Sequence, residues 1–373
     1  MVSARIRRTL LVFVFALAAF PALSGCGKKA PPKAGDVLWR RDTPAGVRIS
    51  PAVSGDEVFF GEWRIAGQPK SPGIISLLLF RPHFYAVEAK TGKVRWHTEA
   101  LVAEGAVASA EDVYALAGGI LYCFDMQSGR QKWTGRLSGF EPFCETPPLL
   151  LANGVIYCTT RSGLDAVSAR SGAVLWSFSA GTAAVSQPVI SGGTISFIAK
   201  DMFLHAVDAA TGTEKWRFNV GNHWRLAADK GVVVSFDSSG SVVALDAETG
   251  AEKWRWKDKP CLVERLAAAN GVVYCATSDR KLCAVDAQKG SEKWTYKMPV
   301  PAERDPTIAN GVVYVALRHN RLCALDAETG NEKWRADVPE LPASNLAVGD
   351  GVIVYYGIDK YIYAVKADEQ EPR

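Results

Sequence analysis

The chain has little of what catalytic and metal-binding sequences usually display. Its 373 residues include only five histidines, at 83, 97, 205, 223 and 319. None has the paired spacing that a metal site or an activated nucleophile needs, which makes them core or loop residues. No two of the eight cysteines are adjacent and no Cys-x-x-Cys-His occurs, so covalent haem attachment is excluded. A glycine-rich phosphate cradle leading into a helix is also lacking, and hydrolase and nucleotide-binding readings have nothing to rest on. Charge of one sign is missing too: 43 basic residues face 39 acidic ones. Such a balance argues against nucleic acid as a partner.

What is present begins with a leader. Arg5, Arg7 and Arg8 give a basic start, and Leu10 to Leu23 form an apolar stretch too short to span a bilayer comfortably. The stretch ends at Leu23-Ser24-Gly25-Cys26, which resembles the bacterial lipobox. The expectation is a signal peptide over 1–25, cleaved before Cys26, and a diacylglycerol on the Cys26 sulfur. Removing the leader takes away three arginines and leaves 40 basic against 39 acidic residues. The following Gly27-Lys28-Lys29-Ala30-Pro31-Pro32-Lys33 has the Pro-rich polar composition of a tether, which is expected over 26–35. Each buried CH₂ of an acyl chain contributes about 0.8 kcal/mol, and stable anchoring takes more than one chain. In the lipoproteins that this segment resembles, a residue other than Asp after the cysteine directs the protein to the outer membrane. Gly27 therefore implies the periplasmic face of that membrane.

The remaining length would suggest two domains, but internal repetition overrides that prior. Tryptophans at 39, 96, 133, 176, 216, 254, 294 and 334 mark a unit of about forty residues, the spacing of a four-stranded propeller blade. Its clearest copy runs from Asn310-Gly311-Val312-Val313-Tyr314 through Leu322-Cys323-Ala324-Leu325-Asp326 and Thr329-Gly330 to Trp334. Asn-Gly between apolar runs is the strongest short hairpin signal, because both turn positions favour positive φ. The eight tryptophans are expected to pack between neighbouring blades; Trp63, Trp224 and Trp256 fall outside the pattern. The last unit, from Gly349 to Ala367, has three strands and no tryptophan, whereas Trp39 has no strands before it. Pairing the two predicts an all-β, eight-bladed β-propeller of four-stranded antiparallel blades over 36–368, closed by the N-terminal strand and followed by a polar tail at 369–373.

The segment Ala324 to Trp334 is similar to the repeat of the quinoprotein alcohol dehydrogenases and their non-enzymatic relatives, the pyrroloquinoline-quinone-repeat propellers. The resemblance covers residues 36 to 368. For an exported lipoprotein of this length it points to the BamB type, the propeller subunit of outer-membrane β-barrel assembly. That implies a scaffold, monomeric outside its complex, whose partners are envelope proteins and, through the lipid, the membrane. The enzymes of the group hold their quinone with Ca²⁺ and a vicinal cysteine pair, which this sequence lacks, so no cofactor, metal or catalytic residue is expected. Two rival readings remain: a quinone-dependent oxidoreductase, and a propeller serving another envelope complex or binding glycan. The BamB type contacts its partner through a Leu-x-Leu-Arg segment between blades. Residues 177–187 and 219–226 contain none; Arg225 beside Trp224 is the nearest approach, and the role is not carried over to it.

Asp208, Asp246, Asp286 and Asp326 occupy one repeat position just before the glycine turn, where Glu88, Ser168 and Lys366 stand in other units. A residue repeated blade after blade is a building feature, expected to accept turn hydrogen bonds. Cys123, Cys283 and Cys323 are read as sharing one strand position with Tyr85, His205, Val243 and Tyr363, a pattern of small buried hydrophobes. Cys275 and Cys283 stand symmetrically about Asp279 in one hairpin, where a cross-strand disulfide is possible.

The array has one irregularity. Between the second and third strands the first blade is about 17 residues longer than the repeat, and the insert is Glu62 to Pro82. Strand counting puts this insert on the face that also carries the connections between blades. Ile74, Ile75, Leu77, Leu78, Leu79 and Phe80 are the candidate contact residues for a protein or membrane partner. The alternative is that the insert folds over its own blade and buries them.

Overall fold

The structure, a computed structural model, describes residues 32–43, 50–65, 80–99, 105–138, 149–239, 241–256 and 263–368. Among them every regular element is a strand, and the strands form eight four-stranded antiparallel sheets. Blade 7 shows the pattern, with strands Thr307–Ala309, Val312–Leu317, Arg321–Asp326 and Glu332–Asp337 running outward from the ring's centre. Its first turn is made by Asn310 and Gly311 at φ of 50° and 73°, the positive pair that an Asn-Gly hairpin requires.

Blades are numbered from Ala52. The innermost strands of most neighbouring blades touch around the ring, and that of blade 8, Ala347–Gly349, touches that of blade 1, Ala52–Ser54. The outermost strand of blade 8 is Val37–Asp42, paired antiparallel with Tyr361–Lys366 in a register that sets Trp39 opposite Ala364. The expected closure is therefore observed. Val58, Phe60, Tyr85 and Val87 of blade 1 share a buried cluster with Val352, Val354, Tyr356 and Ile362 of blade 8, so the joint is as apolar as any other in the ring.

A blade cannot cover both of its faces, and the tryptophans supply much of the cover. Each of seven glycines in the turn before the outer strand sits against the indole of the preceding blade, as Gly92 does with Trp39 and Gly290 with Trp254. At six of these seven joints the indole Nε1–H donates to a carbonyl of the next blade, as from Trp39 to Ala89 at 2.7 Å and from Trp254 to Ala287 at 2.8 Å. A large apolar face and one satisfied polar edge make the ring a good mortar between sheets. Trp256 belongs to the same joint, donating to Gly290 at 3.2 Å.

The repeated aspartates build turns, as expected. Asp326 Oδ1 accepts from the Thr329 and Glu328 N–H groups at 2.9 and 3.2 Å and from the Thr329 hydroxyl at 2.9 Å. Asp208, Asp246 and Asp286 accept equivalent backbone bonds. The Thr211, Lys289 and Thr329 amides are the main cause holding Asp208, Asp286 and Asp326 below the ordinary carboxylate value; for Asp246, burial works against this and the Thr249 amide leads the groups that outweigh it. A depressed carboxylate stabilises the fold above its unfolded value near 3.8, and this is lost as pH falls through the folded value. Replacing all four by Asn keeps an acceptor oxygen and removes the charge. We expect that variant to melt lower than the wild type at pH 7 and to lose less stability between pH 5 and pH 2, measured by thermal scans across pH; equal pH slopes would contradict the assignment.

Two details differ from the sequence reading. Cys123 lies opposite Tyr114 and Trp133, the place Ala324 holds in blade 7, and not the place of Cys323. It stands two residues before its turn aspartate where Cys283 and Cys323 stand three, and strand alternation sends it to the other face. It packs toward blade 3, with Leu137 and Leu149. The reading as buried hydrophobes holds: burial pushes the Cys123 thiol up to about 12 and Cys323 to about 11. Cys275 and Cys283, both buried, do face each other in register. The insert differs as well. Glu57–Ile65 and Phe80–Glu88 are paired from end to end, with Ile65 opposite Phe80, so the flanks of the extra segment continue the hairpin ladder and are not loop.

Candidate partner-binding face

In an antiparallel blade the connection into the innermost strand and the turn between second and third strands lie at one end, and the Asn-Gly and Asp-Thr-Gly turns lie at the other. The second end is uniform from blade to blade. The first is where the sequence varies.

The connections into blades 4 to 8 share one register position, fixed by the bridges Ala184–Ala199, Ala302–Leu317 and Pro342–Gly357 and by the strand pairings. The residues there are Gln187, Arg225, Arg265, Asp305 and Asn345. All are polar, although the next residue is apolar each time: Pro188, Leu226, Leu266, Pro306 and Leu346. The apolar neighbour anchors the connection, and the polar residue stands at the mouth of the ring.

Asp305 of blade 7 reaches past blade 6 to Arg225 of blade 5, whose Nη1 donates to its two carboxylate oxygens at 2.9 and 2.7 Å. The Leu266 N–H of blade 6 approaches the same carboxylate at 3.5 Å. Burial raises Asp305, and the charges of Arg225, Arg265 and Arg304 oppose that rise. Each neighbouring guanidinium is pinned by backbone: Arg265 Nε donates to the Glu303 carbonyl at 3.1 Å and Arg304 Nε to the Pro342 carbonyl at 3.0 Å. Burial, followed by the repulsion of Arg225, pushes Arg265 below its ordinary value. The mouth is thus lined on one side by three ordered, half-buried guanidinium forks around one carboxylate.

Beside them Trp224 is 61% exposed, the most exposed large apolar side chain among the described residues. Met202 and Ile358, also exposed, sit in second-to-third turns of blades 4 and 8 and so share this end of the ring. The Val220 N–H donates to the Met202 carbonyl at 2.9 Å, which joins that turn to the connection carrying Trp224. Ile74, Ile75, Leu77, Leu78 and Leu79 lie outside the described residues, as does Cys26; Phe80 begins a strand. The sequence reading points to Arg225 beside Trp224 without assigning it a role, and does not reach Arg265, Arg304 or Asp305. A signal for the position was available: one register position that stays polar while its chemistry changes from blade to blade.

A family model described as outer membrane protein assembly factor BamB matches residues 81–202, 200–304 and 239–370. The chain belongs to that family. Among solved structures it is similar to BamB from Moraxella catarrhalis, at 15% identity and a TM-score of 0.62, covering 89% of this chain and 99% of that one. A europium-containing methanol dehydrogenase is similar in fold at 13% identity and a TM-score of 0.59, covering 88% and 84%. The serine/threonine-protein kinase AfsK of Streptomyces coelicolor is 27% identical over 198 residues, 52% of this chain. The chain spans only 22% of that kinase. As a BamB-family member the protein is a pyrroloquinoline-quinone-repeat propeller, which raises the question of a quinone and its metal. No three histidine, cysteine, aspartate or glutamate side chains converge among the described residues. At the mouth the carboxylate of Asp305 is already engaged by Arg225.

Proposed function

We propose that this protein is a non-enzymatic scaffold of outer-membrane β-barrel assembly, held at the periplasmic face of the outer membrane by lipid on Cys26. The observation that carries the reading is the family match running through residues 81–370, supported by a ring coextensive with the BamB of Moraxella catarrhalis. Repeated groups that resemble catalytic residues, such as Asp208 and Asp326, are consumed by turn hydrogen bonds. Trp224 and the arginines of the mouth supply the side-chain types that dominate interface energetics. Ile74, Ile75, Leu77, Leu78, Leu79 and Phe80 are proposed as a second contact on the same end of the ring.

Affinity purification of the anchored protein from solubilised membranes tests the reading: barrel-assembly subunits should co-purify. Another envelope complex in their place would reassign the scaffold. Reduction of a redox dye by an alcohol, after reconstitution with quinone and Ca²⁺, would overturn the non-enzymatic part. For the insert, we expect Leu78→Ser with Phe80→Ser to reduce partner recovery about tenfold while the melting temperature stays within a degree or two. A large fall in melting temperature would mean that the insert is packed on its own blade.

A further inference from the structure

We infer that the mouth of the ring is a binding site for an acidic polypeptide segment, whose carboxylates are gripped by Arg225, Arg265 and Arg304 and whose apolar side chains rest on Trp224 and Met202. The inference deepens the scaffold reading by naming the chemistry of the partner, and it rests on that reading only in taking this end of the ring as a docking face.

Three observations support it. The guanidinium groups are held in place before any partner arrives, because backbone carbonyls of successive connections fix Arg265 and Arg304 and a carboxylate fixes Arg225. Pre-organisation of this kind lowers the ordering cost of binding. The forks also retain donors to offer. Arg265 Nη2 and both Nη atoms of Arg304 make no hydrogen bond among the described residues, and Arg225 is bonded through Nη1 alone. The nearby carboxylates do not satisfy them: Glu303 is bonded by Arg318 at 3.3 Å, and Glu264 makes no side-chain bond among the described residues. A planar fork is suited to a carboxylate, which it can bind through two parallel hydrogen bonds.

The third observation is the company the forks keep. A 61% exposed indole directly precedes Arg225, and the turn carrying the exposed Met202 is tied to the same connection by the Val220 N–H bond to the Met202 carbonyl. This pairing of an aromatic anchor with arginines fits a polypeptide that alternates acidic and apolar residues. Among the described residues it offers no broad apolar belt of the kind a lipid surface would use.

The test is fluorescence anisotropy of a labelled nonapeptide, three repeats of Glu-Phe-Asp, titrated with the full chain in detergent. The Arg265→Gln, Arg304→Gln double variant should bind about tenfold or more weakly, and Trp224→Ser about fivefold more weakly. Trp224 is exposed, so its variant should keep the wild-type melting temperature and remain informative should the double variant fold poorly. A peptide with Lys in place of each acid should bind about tenfold more weakly than the acidic one. Equal binding of the two peptides, or wild-type affinity in both variants, would overturn the inference. So would phosphatidylglycerol vesicles binding more tightly than the peptide with the same dependence on the arginines. Arginine-dependent binding of the acidic peptide, with no barrel-assembly subunits recovered from membranes, would uphold this site and refute the assembly role separately.

Discussion

Gly290→Ala is expected to destabilise the protein by about 3 kcal/mol, with about half of that cost disappearing when Trp254 is also replaced by Ala. Gly290 has φ of 71°, where an alanine carries a penalty of about 1–2 kcal/mol. Its new Cβ would stand 2.7 Å from Cγ and 2.8 Å from Cδ2 of the Trp254 indole. Trp254 is 9% exposed and donates to the Ala287 carbonyl at 2.8 Å, so it cannot retreat without giving up packing and a hydrogen bond. Overpacking of this kind adds about 1–3 kcal/mol. Trp254→Ala alone should cost about 3–5 kcal/mol through the cavity it leaves. In that cavity the methyl added at position 290 no longer clashes, and only the backbone penalty remains. Denaturant titration of the two single variants and the double variant therefore gives a strongly non-additive cycle. Additive costs would mean that indole and glycine do not form the joint between blades 5 and 6.

The second large effect concerns the joint that closes the ring. A chain lacking residues 32–43 loses the outer strand of blade 8 and exposes the edge of Tyr361–Lys366. It also loses Trp39, which reaches blade 1 through Gly92 and Ala89, and the Gly35 N–H bond to Lys366 at 2.8 Å. An unpaired edge is a template for association with other chains. Calorimetry of the truncated chain should show a broadened or split transition, lower by about 10 °C or more, and size-exclusion chromatography should show aggregates. A single sharp transition at the wild-type temperature would show that blade 8 does not need its N-terminal strand.

Most of the ring was legible from sequence because its construction is local and repeated. Asn310-Gly311, Asp326, Gly330 and Trp334 each perform their role within forty residues, and seven further copies correct for any one poor match. Closure was legible for a different reason: Trp39 and the three strands after Gly349 are each incomplete alone. The mouth was not read, since Arg225 and Asp305 are 80 residues apart and meet only once the chain has curved around blade 6. Cys123 stands one register place from Cys283 and Cys323, which the similar spacing of the units conceals, and a one-residue shift moves a strand side chain to the opposite face. The flanks of the insert read as loop because Glu62 to Ile65 and Phe80 to Pro82 depart from the repeat, yet their pairing needs only backbone.

Hydrogen exchange at the amides of the N-terminal strand is the most direct probe of the closed ring. If the strand Val37–Asp42 is the eighth blade's outer member, its protected amides exchange only when the whole protein unfolds, with the same free energy as those of Val312–Leu317 in blade 7. Exchange at the rate of an unstructured chain, while blade 7 stays protected, would contradict the account.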